Sequence, residues 1–212
     1  MDGVLVDSYR AHFESWRRLG RLHGLDVTER QFAETFGQTS RDIISHLWPD
    51  SARQADIPKW DRQKEQFYRE MLKVNFPEMD GAGRLLRALD RAGVAMGVGS
   101  SGPPQNVQVV RDRLTAGELL TVTVTGIEVA HGKPHPEVFL KASGKLGVPP
   151  KRCAVVEDAP AGIEAARRAG MAAIAITGTA SRQQLARRAH LVVDSLRELT
   201  PRIITDLIDT CA

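Results

Sequence analysis

The sequence predicts an α/β protein: a doubly wound parallel sheet, Rossmann-like in organisation, with an all-helical segment inserted near its start. Three observations predict it. From Gly81 onward short apolar runs alternate with helical patterns, at a spacing that yields βαβ units. Those runs are apolar throughout rather than alternating, as strands covered on both faces are. Between Ala11 and Val74 every pattern is helical and no strand interrupts it.

The elements follow in order. Ala11–Leu25 carries Phe13, Trp16, Leu19 and Leu22 three apart, with Trp16 read as packing. Thr28 is expected to cap Glu29–Phe36 and Ser40 to cap Arg41–Trp48. Pro58 opens a long amphipathic stretch through Trp60, Phe67, Tyr68, Met71 and Leu72. Helices are then expected at Gly83–Ala92, Asn106–Leu114, Pro136–Leu146, Ala159–Ala169 and Arg182–Arg188. Between them fall strands at Val94–Val98, Thr121–Thr125, Cys153–Val156, Ala172–Ile176 and Leu191–Val193, and a helix closes the chain. The expected division is a core of residues 1–10 and 78–212 and a helical cap of residues 11–77.

Composition narrows the class. The chain has 212 residues, 42% apolar and 26% charged, with a mean hydropathy of −0.26, an ordinary globular balance that excludes disorder. No apolar run reaches the roughly 18–20 residues that cross a bilayer. The net charge of +3 and pI near 9.1 raise the question of nucleic acid. The basic residues, however, are scattered as Arg17-Arg18, Arg167-Arg168 and Arg187-Arg188, with no block interleaved with aromatics, so no nucleic-acid partner is expected. Cys153 and Cys211 belong to no C-x-x-C pair, and no basic stretch followed by an apolar run is visible at the start, so no signal peptide is expected. The expectation is a cytoplasmic protein, monomeric, with a dimer as the alternative.

In open α/β sheets ligands bind beyond the carboxyl ends of the strands. Four loops stand there: Asp2-Gly3-Val4-Leu5-Val6-Asp7-Ser8, Gly99-Ser100-Ser101-Gly102, Gly132-Lys133-Pro134 and Glu157-Asp158-Ala159-Pro160-Ala161-Gly162. Together they bring a hydroxyl, an ammonium and a carboxylate pair to one rim. Such a set suits a phosphate with Mg²⁺, which takes one or two carboxylates plus phosphate and water oxygens. Each group also has an ordinary reading. Ser100 could open a turn with Gly102, Lys133 could be a solvated loop cation, and Glu157-Asp158 could cap the following helix.

The segments DGVLVDS, GSSGP, GKPHPEVF and VVEDAPAGIEAARRAGM, in this order, resemble the haloacid-dehalogenase superfamily, and within it the β-phosphoglucomutase-like phosphatases with a helical cap. The resemblance spans essentially the whole chain. It implies a Mg²⁺-dependent phosphomonoesterase acting on a small, sugar phosphate-like metabolite through an aspartyl-phosphate. Asp2 matches the second Asp of D-x-D-G, the acid and base that also lends its carbonyl to the metal. Ser100 matches the hydroxyl that binds phosphoryl oxygens, with Ser101 beside it on the substrate side. Lys133 matches the charge-neutralising lysine. Asp158 matches the metal ligand, and Glu157 its partner or water holder. A phosphomutase of the β-phosphoglucomutase type and a non-catalytic phosphosugar binder are the alternatives.

One departure stands out. The nucleophilic Asp of the motif would precede Met1, and so would the apolar first strand that lies centrally in the family's sheet. Without that strand its neighbours keep unpaired backbone groups at on the order of 1–3 kcal/mol each, against a native stability of about 5–15 kcal/mol. The expectation is therefore a translation start upstream of Met1. Asp7, five residues on, belongs to the turn into the cap and is no substitute. In the cap, His12, Arg41 and Lys64 match family positions that grip the rest of the substrate, a second anionic group included, with closure excluding water; the ordinary reading of each is a solvated helix-face charge. His131 and His135 are read as loop residues, since Gly132 and Pro134 between them forbid a helical metal pair.

Overall fold

The computed structural model describes residues 1–35, 40–50, 53 and 56–211. The chain divides into two compact units, residues 1–7 with 77–212 and residues 8–76.

The second unit is helical: α1 (Tyr9–Leu22), α2 (Glu29–Thr35), α3 (Ser40–Leu47) and α4 (Ile57–Val74). Phe13, Trp16, Leu19, Phe32, Ile44 and Trp60 face one another in a single buried cluster. Trp16 is 1% exposed, so the packing role expected from its spacing holds. Thr28 and Gln31 bond reciprocally ahead of α2, the Gln31 N–H reaching the Thr28 hydroxyl at 3.3 Å. The expected end of that helix at Phe36 lies outside the described residues. Ser40 does not cap α3. It is the first residue of the helix, and its hydroxyl donates to Glu65 Oε1 at 2.9 Å. The hydroxyl proton thus goes to a carboxylate supplied by α4.

The first unit carries α5 (Ala82–Arg91), β1 (Met96–Gly99), α6 (Pro104–Arg113), β2 (Leu120–Val124), α7 (Glu137–Leu146), β3 (Ala154–Glu157), α8 (Pro160–Arg168), β4 (Ala172–Ile176), α9 (Arg182–Ala186), β5 (Leu191–Val193) and α10 (Pro201–Cys211). Every strand pair is parallel, but the strands form two sheets, β1-β2 and β3-β4-β5. β4, AAIAI, is buried at all five positions, which is why its run shows no alternation. Its small side chains let α8 come close through Gly162, Ile163, Ala165 and Ala166. Between β1 and β3 lies a cavity of about 490 Å³, walled by both strands and by Met1, Leu86, Leu89 and Ile208. The parallel strands of the doubly wound core thus fall into two groups, with no strand between β1 and β3 among the described residues.

Beyond β2, Glu128 closes a capping box, accepting the Thr125 N–H at 2.8 Å and hydroxyl at 3.0 Å while pairing with Lys145. The Lys145 hydrogen bond first, then those of Thr125, lower its pKa from 4.5 to about 2. Because the folded value lies below the unfolded one, the stabilisation is present above pH 4.5 and fades as pH falls toward about 2. Urea midpoints measured across that window are expected to fall less steeply in Glu128→Gln than in the parent, and equal slopes would refute the assignment.

Candidate active site

Four chain segments of the first unit meet at the carboxyl ends of β1 and β3. The turn at residues 1–7 is held by its own backbone, with the Gly3 N–H bonding Val6 O at 2.9 Å and the Leu5 N–H bonding Met1 O at 2.8 Å. Gly3 has φ +65°, and a Cβ there would overlap the Asp158 carboxylate, so both conformation and space require glycine. That contact places the Asp2-Gly3 turn directly against Asp158.

Glu157 ends β3 and Asp158 follows it, 5% and 7% exposed. Neither caps α8, whose N-cap is Ala159. The ammonium of Lys133 pairs with Glu157 Oε1 and donates to Gly99 O at 3.5 Å, so Lys133 is bound rather than solvated. The Lys133–Pro134 peptide is cis, and α7 follows at Glu137. Burial pushes the Glu157 carboxyl up, but the charge and hydrogen bond of Lys133 act against it, and the pKa is lowered. Asp158 goes the other way. Burial first, then the adjacent Glu157 charge, raise it to about 6, against a hydrogen bond from Thr179.

Ser100, 4% exposed, follows β1; its N–H bonds Val124 O at 2.9 Å and its hydroxyl accepts the Gly102 N–H at 3.1 Å. The turn role and a place beside Gly99, where Lys133 also bonds, therefore coexist. Ser101 is exposed. Thr179 escaped the sequence reading. Its hydroxyl donates to Asp158 Oδ2. The signal was available, since Thr179 follows β4 at the same strand ends that marked the other loops.

Two buried carboxylates side by side face one lysine. Asp158 is the oxygen donor with least compensation, as its raised pKa records. The donor set, all hard oxygen with an excess of negative charge, fits Mg²⁺. Gly162 keeps room for it: a Cβ at that position would overlap the Glu157 carboxylate. Gly162→Ala is expected to push Glu157 off Lys133 and weaken Mg²⁺ binding about tenfold or more by titration calorimetry. An unchanged affinity would remove Glu157 from the site.

The residues expected in the cap lie in the helical unit. Lys64, 3% exposed, is not a solvated charge. Its ammonium lies 2.9 Å from His12 Nδ1 and 2.9 Å from Glu65 Oε1, near the faces of Trp16 and Tyr68. Lysine only donates, so His12 accepts at Nδ1 while its ring stacks on Tyr68 at 4.1 Å. Arg41 is 67% exposed and pairs loosely with Asp61 at 3.4 Å. The structure thus brings together Asp2, Ser100, Lys133, Glu157 and Asp158 in one unit, and His12 with Lys64 in the other, while Arg41 stands apart from that buried network.

A family model described as haloacid dehalogenase-like hydrolase matches residues 1–170. The validoxylamine A 7'-phosphate phosphatase of Streptomyces hygroscopicus subsp. limoneus is 31% identical over 96% of this chain and 95% of its own. The β-phosphoglucomutase of Bacillus subtilis is 28% identical over 96% and 91%. Among solved structures, a family IA variant 3 HAD hydrolase from Entamoeba histolytica superposes with a TM-score of 0.89 at 29% identity, covering 99% of this chain and 96% of that one. No helix among the described residues is long and apolar enough to cross a membrane.

Proposed function

This chain belongs to the haloacid dehalogenase-like hydrolases, with relatives named as phosphatases, and we propose from that premise that it dephosphorylates a small sugar phosphate-like metabolite with Mg²⁺ at Glu157 and Asp158. One observation carries the reading: a buried carboxylate pair, one member paired with Lys133 and the other undercompensated, beside the Ser100 hydroxyl and the Asp2 turn. When bound, Mg²⁺ supplies positive charge to the phosphoryl oxygens.

The chain's own groups do the rest. Lys133, steered by Glu157, stands beside the strand-end rim where phosphoryl charge develops, and Ser100 offers its hydroxyl proton to a phosphoryl oxygen. Asp2 gives its proton to the leaving oxygen and then takes one from the attacking water. The attacking carboxylate of the aspartyl-phosphate route belongs, by the resemblance, two positions before Asp2. In the helical unit, the Lys64–His12 pair and the Arg41 guanidinium fit a hydroxyl-rich or anionic ligand. The reaction compartment we propose is the cytoplasm.

The similarity to a β-phosphoglucomutase favours a second reading, transfer of the phosphoryl group to another sugar hydroxyl. Phosphate release from a panel of sugar monophosphates distinguishes them, using this chain and a form preceded by the residues its gene encodes before Met1. Mg²⁺-dependent release by the longer form, abolished by Asp→Asn two positions before Asp2, is the expected result. Isomerised sugar phosphate without release supports the mutase. Tight Mg²⁺ and phosphate binding with neither product would leave a binding protein and overturn the proposal.

A further inference from the structure

We propose that His131, His135 and Glu137 form a site for a zinc-type transition-metal dication on the loop that carries Lys133, separate from the Glu157–Asp158 pair. Gly132 and Pro134 do keep the two histidines off a helix. They converge by another route. The His135 N–H bonds Gly132 O at 3.0 Å, and the resulting turn brings the two rings to 4.7 Å between centroids. Just beyond, Glu137 opens α7, and one ligand atom from each of the three residues lies within 4.8 Å of the others.

The distances suit a small tetrahedral ion. Bonds of about 2.0–2.2 Å place neighbouring ligand atoms roughly 3.3–3.6 Å apart. His131 Nδ1 is already 3.5 Å from Glu137 Oε2, and His135 Nδ1 is 4.0 Å from the same oxygen. The remaining adjustment falls on exposed rings, 69% and 49% open to solvent; His135 accepts the Glu137 N–H at Nδ1 at 3.3 Å, so it ligates by releasing that bond or through Nε2. The carboxylate, 18% exposed, is by contrast fixed. The Ala130 N–H, shared between both oxygens, and the His131 N–H, on Oε2 at 3.0 Å, hold it, while Lys141 binds Oε1 at 2.7 Å; Oε2 is the oxygen that faces the histidines. Such backing orients a metal-binding carboxylate before the ion arrives.

The donor chemistry selects the ion. Two imidazoles and one carboxylate, with a fourth position open to water, favour zinc, nickel or copper over Mg²⁺, which prefers oxygen alone. Among the described residues this is the one grouping of three such side chains placed to share an ion.

Titration calorimetry with zinc chloride in excess Mg²⁺ tests it. One zinc per chain is expected, retained in Asp158→Asn and weakened at least about tenfold in Glu137→Gln and in the double variant His131→Ala/His135→Ala. The exposed Cys211 is an independent zinc ligand, so Cys211→Ser serves as the background throughout. Absence of binding in that background, or equal affinity in the double variant, would overturn the proposal. Loss of zinc in Asp158→Asn would place the ion at the phosphatase site instead and overturn it equally, while leaving the phosphatase reading untouched.

Discussion

In the form preceded by the residues encoded before Met1, Lys133→Ala is expected to cost about 10²–10³-fold in kcat, the usual loss when a group aimed at developing transition-state charge is removed. It should also lower stability by roughly 3–5 kcal/mol, because it strips the partner from a buried carboxylate. Glu157 is 5% exposed, and Lys133 is the cation paired with it. With the ammonium gone, burial would drive the Glu157 carboxyl up instead of down. The two effects separate in Lys133→Met/Glu157→Gln, where no buried charge is stranded: urea unfolding should recover most of the lost stability while turnover stays down. If Lys133→Ala unfolds like the parent, the pair is not the anchor described here. If it turns over like the parent, Lys133 has no part in phosphoryl transfer.

Asp158→Asn should do the opposite to stability. Burial and the neighbouring Glu157 raise its pKa from 3.8 to about 6, so above that pH the ionised group is worse off folded than unfolded. Neutralising it at nearly constant shape is expected to stabilise the metal-free protein by on the order of 1–3 kcal/mol. Activity should disappear, and Mg²⁺ affinity should fall at least about tenfold. Mg²⁺ should then raise the thermal midpoint of the parent and leave that of the variant unmoved. A variant that is less stable than its parent without metal would show that Asp158 is a structural acceptor for Thr179 and not a poised ligand. The expected pattern, a site that costs stability until its ion binds, is the usual price of a functional constellation.

Much of the scaffold was legible one segment at a time. The run Ala172–Ile176 becomes β4 at those bounds, and Leu191–Val193 becomes β5, because an uninterrupted apolar run of that length has few other places to go. Helix ends moved by one to three residues where partners from elsewhere intervened, as at Ser40, whose hydroxyl serves Glu65 and not its own helix. The strand orders β1-β2 and β3-β4-β5 depend on which strands become neighbours, which no local pattern records.

The site divides in the same way. Asp2, Ser100, Lys133, Glu157 and Asp158 could be found in the sequence because strand ends in this architecture share one rim, so position along the chain implies position in space. Their charge states could not. That Lys133 is bound and not solvated, that Thr179 holds Asp158, that Glu157 and Asp158 shift in opposite directions, and that Lys64 is buried against His12 all depend on distances between residues far apart in the chain. By itself the sequence determined the elements, the order of the loops and the kinds of chemical groups they carry, since propensity and apolar period act over a few residues. Only the tertiary structure decided which charges meet, because burial and Coulomb energy depend on separation in space and not on separation along the chain.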